Sequence, residues 1–239
     1  MRKIILVAVV CAFVAVPVLA DPPHGAFSDS ATMDYTRLTN YFSGNGGEFT
    51  LSQYMSQPYL SNAAYASVAK AQDGDSTSFQ TFCMEQYEYV AQPMTFYVSE
   101  QNAALTAAGS HAWKGGTGIG DDLDPRTAYL YTKFATGTLT GYDYSVAGRA
   151  TSAGALQNAI WFIEGEGGVS NSFVALADTA VAVGGEWYGK GIGNVRVIQA
   201  YKLDGSIAQD QLYFVPVPGA VLLGFLGLGY AGTKLRRFV

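Results

Sequence analysis

The chain of 239 residues has only two cysteines and two histidines, and charged residues make up just 14% of it. One cysteine, Cys11, lies in an apolar N-terminal run, so its removal would leave Cys83 with no disulfide partner in the chain. Basic residues are fewer than acidic ones, 14 against 19, and an acidic chain is a poor candidate for binding nucleic acid. No Gly-Lys-Ser/Thr sequence marks a phosphate-binding loop. These scarcities exclude a disulfide framework and argue against nucleic-acid and nucleotide functions.

The first 20 residues have the three parts of a secretory signal peptide. Arg2 and Lys3 form a basic start, an apolar run follows, and small residues lead up to Ala20. The run is short for a membrane span, which needs roughly 20 apolar residues. Cys11 lies inside the apolar run and does not follow a small residue, which argues against its lipidation. We therefore expect cleavage after Ala20 and export of the chain.

Residues 216–239 combine a proline-rich stretch, a glycine-rich apolar run and a basic end. Basic residues that follow an apolar segment stay on the cytoplasmic side of a membrane, so we expect this tail to enter the membrane at least transiently. The tail resembles the PEP-CTERM signal of exported proteins in Gram-negative, exopolysaccharide-making bacteria, although Val217 stands where that family usually has Glu. The resemblance implies processing by an exosortase-type enzyme and a location at the cell surface, outer envelope or extracellular matrix. The residues that carry it are Pro216, Val217, Pro218, Gly219, Lys234, Arg236 and Arg237.

Residues 21–215 hold all 19 acidic residues, while five of the 14 basic residues lie outside them, so the net charge there is near −10. Their length suits one extracellular domain. The order of the predicted elements, strands, then helices, then strands, indicates an α+β fold and not a parallel α/β sheet. The first helix has Asp124 as N-cap and Pro125 at its first position, and it runs to Gly137. Further helices are predicted at 152–164 and 171–183, and strands at 79–90, 95–98, 195–201 and 211–215.

Two groups of acidic residues are interpreted without a metal or a catalytic role. Asp121, Asp122 and Asp124 could ligate calcium, but they lack the spacing of an EF-hand and form a polar turn that caps a helix. Glu164 and Glu166 do not face each other on a helix, so we expect solvated charges at a helix end. The sequence therefore predicts no metal site and no cofactor.

Cys83 is open to three interpretations. It can be a buried and inert thiol, as free cysteines commonly are. It can be the nucleophile of a thiol hydrolase, activated by a histidine such as His111, although no protease-like signature is present. It can also react with a glutamine amide to form an internal thioester, which needs proximity and exclusion of water but no cofactor.

Gln157 has the surroundings that such a thioester requires. It lies on the second predicted helix, where helical spacing places it on one face with Ala153, Ile160 and Trp161. A glutamine on such a face points towards packing and not towards water. On spacing alone, an ordinary amide at the edge of the core is the better explanation of this position.

The segments FCMEQ and LQNAIW together resemble the thioester domain of bacterial surface adhesins, and the helix AYLYTKFATG between them is also similar. The resemblance implies that Cys83 is the thiol and Gln157 the acyl donor. It also implies a β-barrel or sandwich with a helical insert. This chain has Met84 where an aromatic or apolar residue often follows the cysteine, and it lacks the long stalk of the Gram-positive adhesins. The motif neighbours are Phe82, Ala159, Ile160 and Trp161.

The leading hypothesis is an exported surface protein whose Cys83–Gln157 thioester attaches it covalently to an amine or hydroxyl group of a surface protein or polysaccharide. This attachment would be a single-turnover acyl transfer, so we predict no enzyme activity. Two alternatives stay open: a structural envelope or exopolysaccharide-associated protein of the same fold without the bond, and a thiol hydrolase that uses Cys83 and His111.

Overall fold

The computed structural model describes residues 30–34, 41–43, 46–53, 62–70, 78–90, 94–99, 103–105, 120–202, 204 and 206–215. The predicted signal peptide, the predicted sorting tail and His111 lie outside these residues. Among the helices of the described ranges, none has the length and apolar character that a membrane crossing needs.

Six strands form one antiparallel sheet in the order β10-β9-β6-β1-β4-β5. Two small hairpins accompany it, one of β2 with β3 and one of β7 with β8. The strands are β1 (Ser30–Asp34), β2 (Phe42–Ser43), β3 (Gly46–Gly47), β4 (Phe49–Gln53), β5 (Phe79–Thr81), β6 (Met94–Ser99), β7 (Ala103–Leu105), β8 (Gly120–Asp122), β9 (Val195–Lys202) and β10 (Gln211–Phe214).

The chain that leaves β5 pairs directly with β10, although these strands stand at opposite ends of the sheet order. Cys83 lies opposite Gln211 in an isolated antiparallel bridge. The bridge therefore links β10 to the segment that follows β5, at the position of the cysteine. Two backbone hydrogen bonds flank it: Leu212 N donates to the Phe82 carbonyl at 3.1 Å, and Met84 N donates to the Asp210 carbonyl at 3.0 Å.

Three helices lie between β8 and β9: α1 (Pro125–Ala135), α2 (Val146–Glu164) and α3 (Ser172–Val181). Asp124 caps α1 by accepting a hydrogen bond from Arg126 N at 2.8 Å. Asn171 caps α3 in the same way, and Gly165, at φ 82°, ends α2 in the left-handed conformation that glycine tolerates. The predicted cap Asp124, the predicted end of the second helix at Glu164 and the α+β class are thus confirmed.

Two predicted boundaries are wrong. The strand predicted at 79–90 ends at Thr81 because β4 pairs only with Phe79–Thr81, and beyond them only the Cys83 bridge is formed. The helix predicted at 152–164 begins at Val146 instead. Its first turns are held by tertiary contacts of Arg149, which local sequence signals do not show.

Arg149 forms a buried ion pair with Glu48, which lies between β3 and β4. Its Nε donates to Glu48 Oε1 at 2.7 Å and its Nη2 to Oε2 at 2.8 Å. The guanidinium also lies over the ring of Tyr41, 4.2 Å from the centroid. These contacts fix the start of α2 against the β2–β3 hairpin, which packs along the same helix.

Aromatic rings fill the space between the helices and the sheet. Phe82 meets Phe134 of α1 edge-on at 4.9 Å between centroids. Tyr65 stacks on Phe79 at 4.8 Å, and its hydroxyl lies 3.0 Å from that of Tyr131. The segment that carries Cys83 is therefore clamped between α1 and β10.

Candidate functional site

The structure places Cys83 and Gln157 in direct contact, although 74 residues separate them. Cys83 N donates to Gln157 Oε1 at 3.1 Å, and Gln157 Nε2 donates to the Cys83 carbonyl at 2.8 Å. Both residues are 0% exposed. The carboxamide is thus docked on the cysteine backbone by two reciprocal hydrogen bonds in a site closed to water.

Packing of α2 against β3 holds Gln157 in this position. The glutamine points into the core, as its helical spacing predicted. Gly46 lies so close that a Cβ there would come within 2.3 Å of Gln157 Cγ and 2.7 Å of Trp161 Cη2. The absence of a side chain at Gly46 is what allows the β2–β3 hairpin to cover the glutamine.

The four motif neighbours are all buried. Phe82, Ala159 and Ile160 are 0% exposed and Trp161 is 4% exposed. The indole Nε1 of Trp161 is buried and makes no hydrogen bond, so this side chain serves the site as apolar cover. Met84 is also buried, and the site is therefore walled by apolar groups on both sides of the cysteine.

The electrostatic surroundings keep the thiol protonated. Burial raises the pKa of Cys83 well above its usual value, the nearby Glu85 carboxyl raises it further, and a side-chain hydrogen bond from Gln211 lowers it. Activated cysteine nucleophiles have a depressed pKa and partial exposure. Cys83 has neither property in the described structure.

Glu85, whose carboxyl acts on the Cys83 thiol, belongs to a buried acidic group with Asp210, Glu88 and Glu166. Its Oε2 accepts a hydrogen bond from Asp210 N at 2.9 Å, while its Oε1 is buried without a hydrogen-bond partner. Burial, followed by repulsion from Asp210, Glu88 and Glu166, raises the pKa of Glu85 well above its usual range. Glu85 therefore favours its neutral form over a wider range of pH than an exposed glutamate.

The prediction that Glu164 and Glu166 are solvated is wrong, since they are 1% and 4% exposed. Both accept backbone hydrogen bonds from other segments: Glu164 from Asp124 N at 3.3 Å, and Glu166 from Gln86 N at 3.4 Å. Their carboxylates tie the end of α2 to neighbouring chain, which local sequence does not reveal. Within the described ranges, no three His, Cys, Asp or Glu side chains are grouped as metal ligands would be.

Sequence reasoning missed Gln211 and the burial of Glu85. In the strand predicted at 79–90, alternation would place Cys83 and Glu85 on one face with Tyr87 and Tyr89. In the structure every residue from Phe79 to Glu85 is buried, whereas both tyrosines are exposed. The available signal for Gln211 was a glutamine at the head of the apolar strand QLYF, but its partner becomes apparent only from the register between β10 and the segment after β5.

This arrangement suits attack of a thiol on an amide. The Cys83 N–H that binds Gln157 Oε1 is the kind of fixed donor that stabilises negative charge developing on a carbonyl oxygen. Fixed proximity of the reacting groups supplies a large part of the acceleration in such intramolecular reactions.

No family model, curated protein or solved structure matches the chain.

Proposed function

We propose that the protein is an exported surface protein whose Cys83 and Gln157 form an internal thioester that captures a nucleophile on a partner. The observation that carries the proposal is the reciprocal pair of hydrogen bonds between the Gln157 carboxamide and the Cys83 backbone. A buried glutamine amide needs hydrogen bonds, but many residues could supply them. Here the supplier is the single cysteine of the described chain.

Bond formation is balanced without a cofactor. Cys83 Sγ adds to Gln157 Cδ, the C–N bond breaks, and the thiol proton leaves with the amide nitrogen as ammonia. The product later reacts with an amine or hydroxyl of a surface protein or polysaccharide: the new C–N or C–O bond forms, the C–S bond breaks, and the Cys83 thiol is regenerated. Each molecule reacts once, so the process is covalent adhesion and not enzymatic turnover.

A thioester-domain-like fold, with a β-barrel and a helical insert, belongs to the same proposal. The bridge between Cys83 and Gln211 links the two outer strands of the sheet, which supports closure into a barrel. The three helices are inserted between β8 and β9. In this arrangement Cys83 lies at the seam, which is the place where the segment after β5 pairs with β10. Gln157 lies on α2, within the helical insert.

Export and sorting complete the proposal and rest on the sequence of the two ends. Cleavage after Ala20 would deliver the domain outside the cytoplasm, and an exosortase-type enzyme would process the tail at residues 216–219. The mature domain would then lie at the cell surface, outer envelope or extracellular matrix of a Gram-negative-type bacterium. Mass spectrometry of protein secreted by an expressing host tests both cuts through the terminal residues of the mature chain.

The intact mass of residues 21–215, purified at mild pH, tests the thioester. The wild type should be lighter than its sequence by one ammonia, about 17 Da, and Cys83→Ala should match its sequence. Methylamine should then add to Gln157 and release one free thiol. A wild type of full sequence mass would contradict the thioester and leave the structural envelope protein as the better interpretation.

The thiol hydrolase is tested by a different variant. His111→Ala should leave the mass loss and the capture of methylamine unchanged, because the proposed bond forms without a histidine. Loss of an esterase or peptidase activity in both His111→Ala and Cys83→Ala, with no mass loss in the wild type, would favour the hydrolase instead.

A further inference from the structure

We propose that Gln211 is the positioning residue that orients the Cys83 sulfur toward Gln157; the inference rests on the thioester function proposed above. Gln211 begins β10 and lies directly opposite Cys83 across the seam. None of the sequence motifs includes it.

The backbone geometry of the seam brings the two side chains close. The hydrogen bonds on either side join residues 82 and 212 and residues 84 and 210, so Cys83 and Gln211 do not bond each other through their backbones. They therefore form the non-hydrogen-bonded type of antiparallel pair, in which the Cα atoms are closest, at about 4.5 Å, and the side chains lie nearest to each other. The Gln211 side chain accordingly acts on the thiol by lowering the pKa of Cys83.

The remaining hydrogen bonds of Gln211 do not explain a glutamine at this position. The residue is 0% exposed, its Oε1 has no hydrogen-bond partner, and its Nε2 reaches the Gln209 carbonyl only at 3.5 Å. A buried amide with incomplete hydrogen bonding destabilises a fold, and an apolar residue would pack there without that loss. What remains to account for the amide is its place directly opposite Cys83 in the bridge.

The amide of Gln211 and the carboxyl of Glu85 have opposite effects on the pKa of the Cys83 thiol. Burial and the Glu85 carboxyl both disfavour the thiolate, and Glu85 itself interacts with Asp210, Glu88 and Glu166. An N–H donor held against the sulfur stabilises the thiolate that attacks Gln157. The same donor stabilises that thiolate again when it leaves during capture of a partner, so Gln211 acts in both steps.

Thiol titration tests this role without requiring a thioester. Gln157→Ala removes the acyl donor and opens space beside Cys83 for a small alkylating reagent. In that background, the pH midpoint of alkylation by iodoacetamide should rise by about one unit when Gln211→Met removes the N–H donor. Gln199→Met is the matched control, because Gln199 is a buried glutamine on the neighbouring strand β9 and pairing of Ile198 with Gln211 places it on the other face of the sheet.

An unchanged midpoint in Gln211→Met, or an equal rise in Gln199→Met, would overturn the assignment. If Gln211→Met does not fold by circular dichroism, Gln211→Glu keeps the size of the side chain, replaces the donor with a carboxyl and should raise the midpoint at least as far. In the chain that retains Gln157, Gln211→Met should also slow capture of methylamine by about tenfold. A wild type without the ammonia mass loss would refute the proposed function, whereas the titration would still report on the contact between Gln211 and the thiol.

Discussion

Glu48 and Arg149 form a bidentate ion pair in the core, with Glu48 0% and Arg149 2% exposed. The Tyr142 hydroxyl donates to the same carboxylate, and Arg149 Nη2 also donates to the carbonyl of Val68. Burial raises the pKa of Glu48 although the guanidinium and the tyrosine pull it down. The pair joins the first turns of α2 to the chain that covers Gln157.

Arg149→Met should destabilise the fold by about 3–5 kcal/mol, because it leaves a buried carboxylate without its counter-charge. Urea unfolding measures the change. The control is Arg126→Met, which removes the partly exposed ion pairs with Asp124 and Asp178 and should cost less than about 1 kcal/mol. Equal losses of unfolding free energy in the two variants would show that the buried Glu48–Arg149 pair contributes no more to stability than the partly exposed pairs.

Glu85→Gln should make the stability less dependent on pH. The folded-state pKa of Glu85 is raised by burial and by its acidic neighbours, so the folded chain holds a proton that the unfolded chain releases above a pKa of about 4.5. The stability from this group is therefore fully present below that pH and is lost as the pH rises through the folded pKa, at up to about 1.4 kcal/mol per unit of pH.

The effect of Glu85→Gln is best measured with Cys83→Ala in both chains, so that no thioester contributes. Urea midpoints should fall more between pH 5 and pH 8 in the chain that keeps Glu85 than in the chain that carries Glu85→Gln. A steeper fall in the Glu85→Gln chain would contradict the assignment of a raised pKa.

Gly46→Ala should force Gln157 and Trp161 to move, because a Cβ would approach them to within 2.3 and 2.7 Å. Overpacking of this kind costs about 1–3 kcal/mol, and displacement of the amide should also reduce the fraction of chains that show the ammonia mass loss. Combining it with Gln157→Ala removes one of the two clashes, so the double variant should lose less stability than the sum of the single variants. Additive losses would mean that Gly46 and Gln157 are not in contact.

Opening the proposed thioester with methylamine should lower the thermal midpoint. The bond would close a loop between residues 83 and 157, and by the chain-entropy relation used for disulfides such a loop contributes about 4 kcal/mol. For a domain of this size the midpoint should fall by roughly 10 °C. The midpoint of Cys83→Ala should not change on the same treatment; an equal fall there would assign the effect to methylamine itself.

The sequence allowed prediction of the elements that depend on local chemistry. Asp124 caps α1 and α2 ends at Glu164, before Gly165, as predicted. The predicted strands at 95–98, 195–201 and 211–215 agree with β6, β9 and β10 to within one residue at each end. The start of α2 was not predictable, because it depends on the contact of Arg149 with Glu48, a residue 101 positions away.

In the candidate site too, local sequence predicts some features and tertiary contacts determine the others. Gln157 could be placed in the core from the apolar residues at helical spacing around it. Its contact with Cys83 could be expected only from resemblance, because no local rule brings two residues 74 positions apart together. The position of Gln211 opposite Cys83 and the burial of Glu85 depend on the strand register, which local alternation along the chain does not supply.

The bridge between the segment after β5 and β10 also has a mechanical consequence. β10 is hydrogen-bonded along one edge to β9 and along the other to residues 82–84, and Val215 beyond it is held by the carbonyl of Asn194 at 2.8 Å. Because β10 is bonded on both sides, tension that detaches it from the domain must break hydrogen bonds to both neighbouring segments. The last described residues are thus attached to the domain from both sides, which suits a chain end through which force is transmitted.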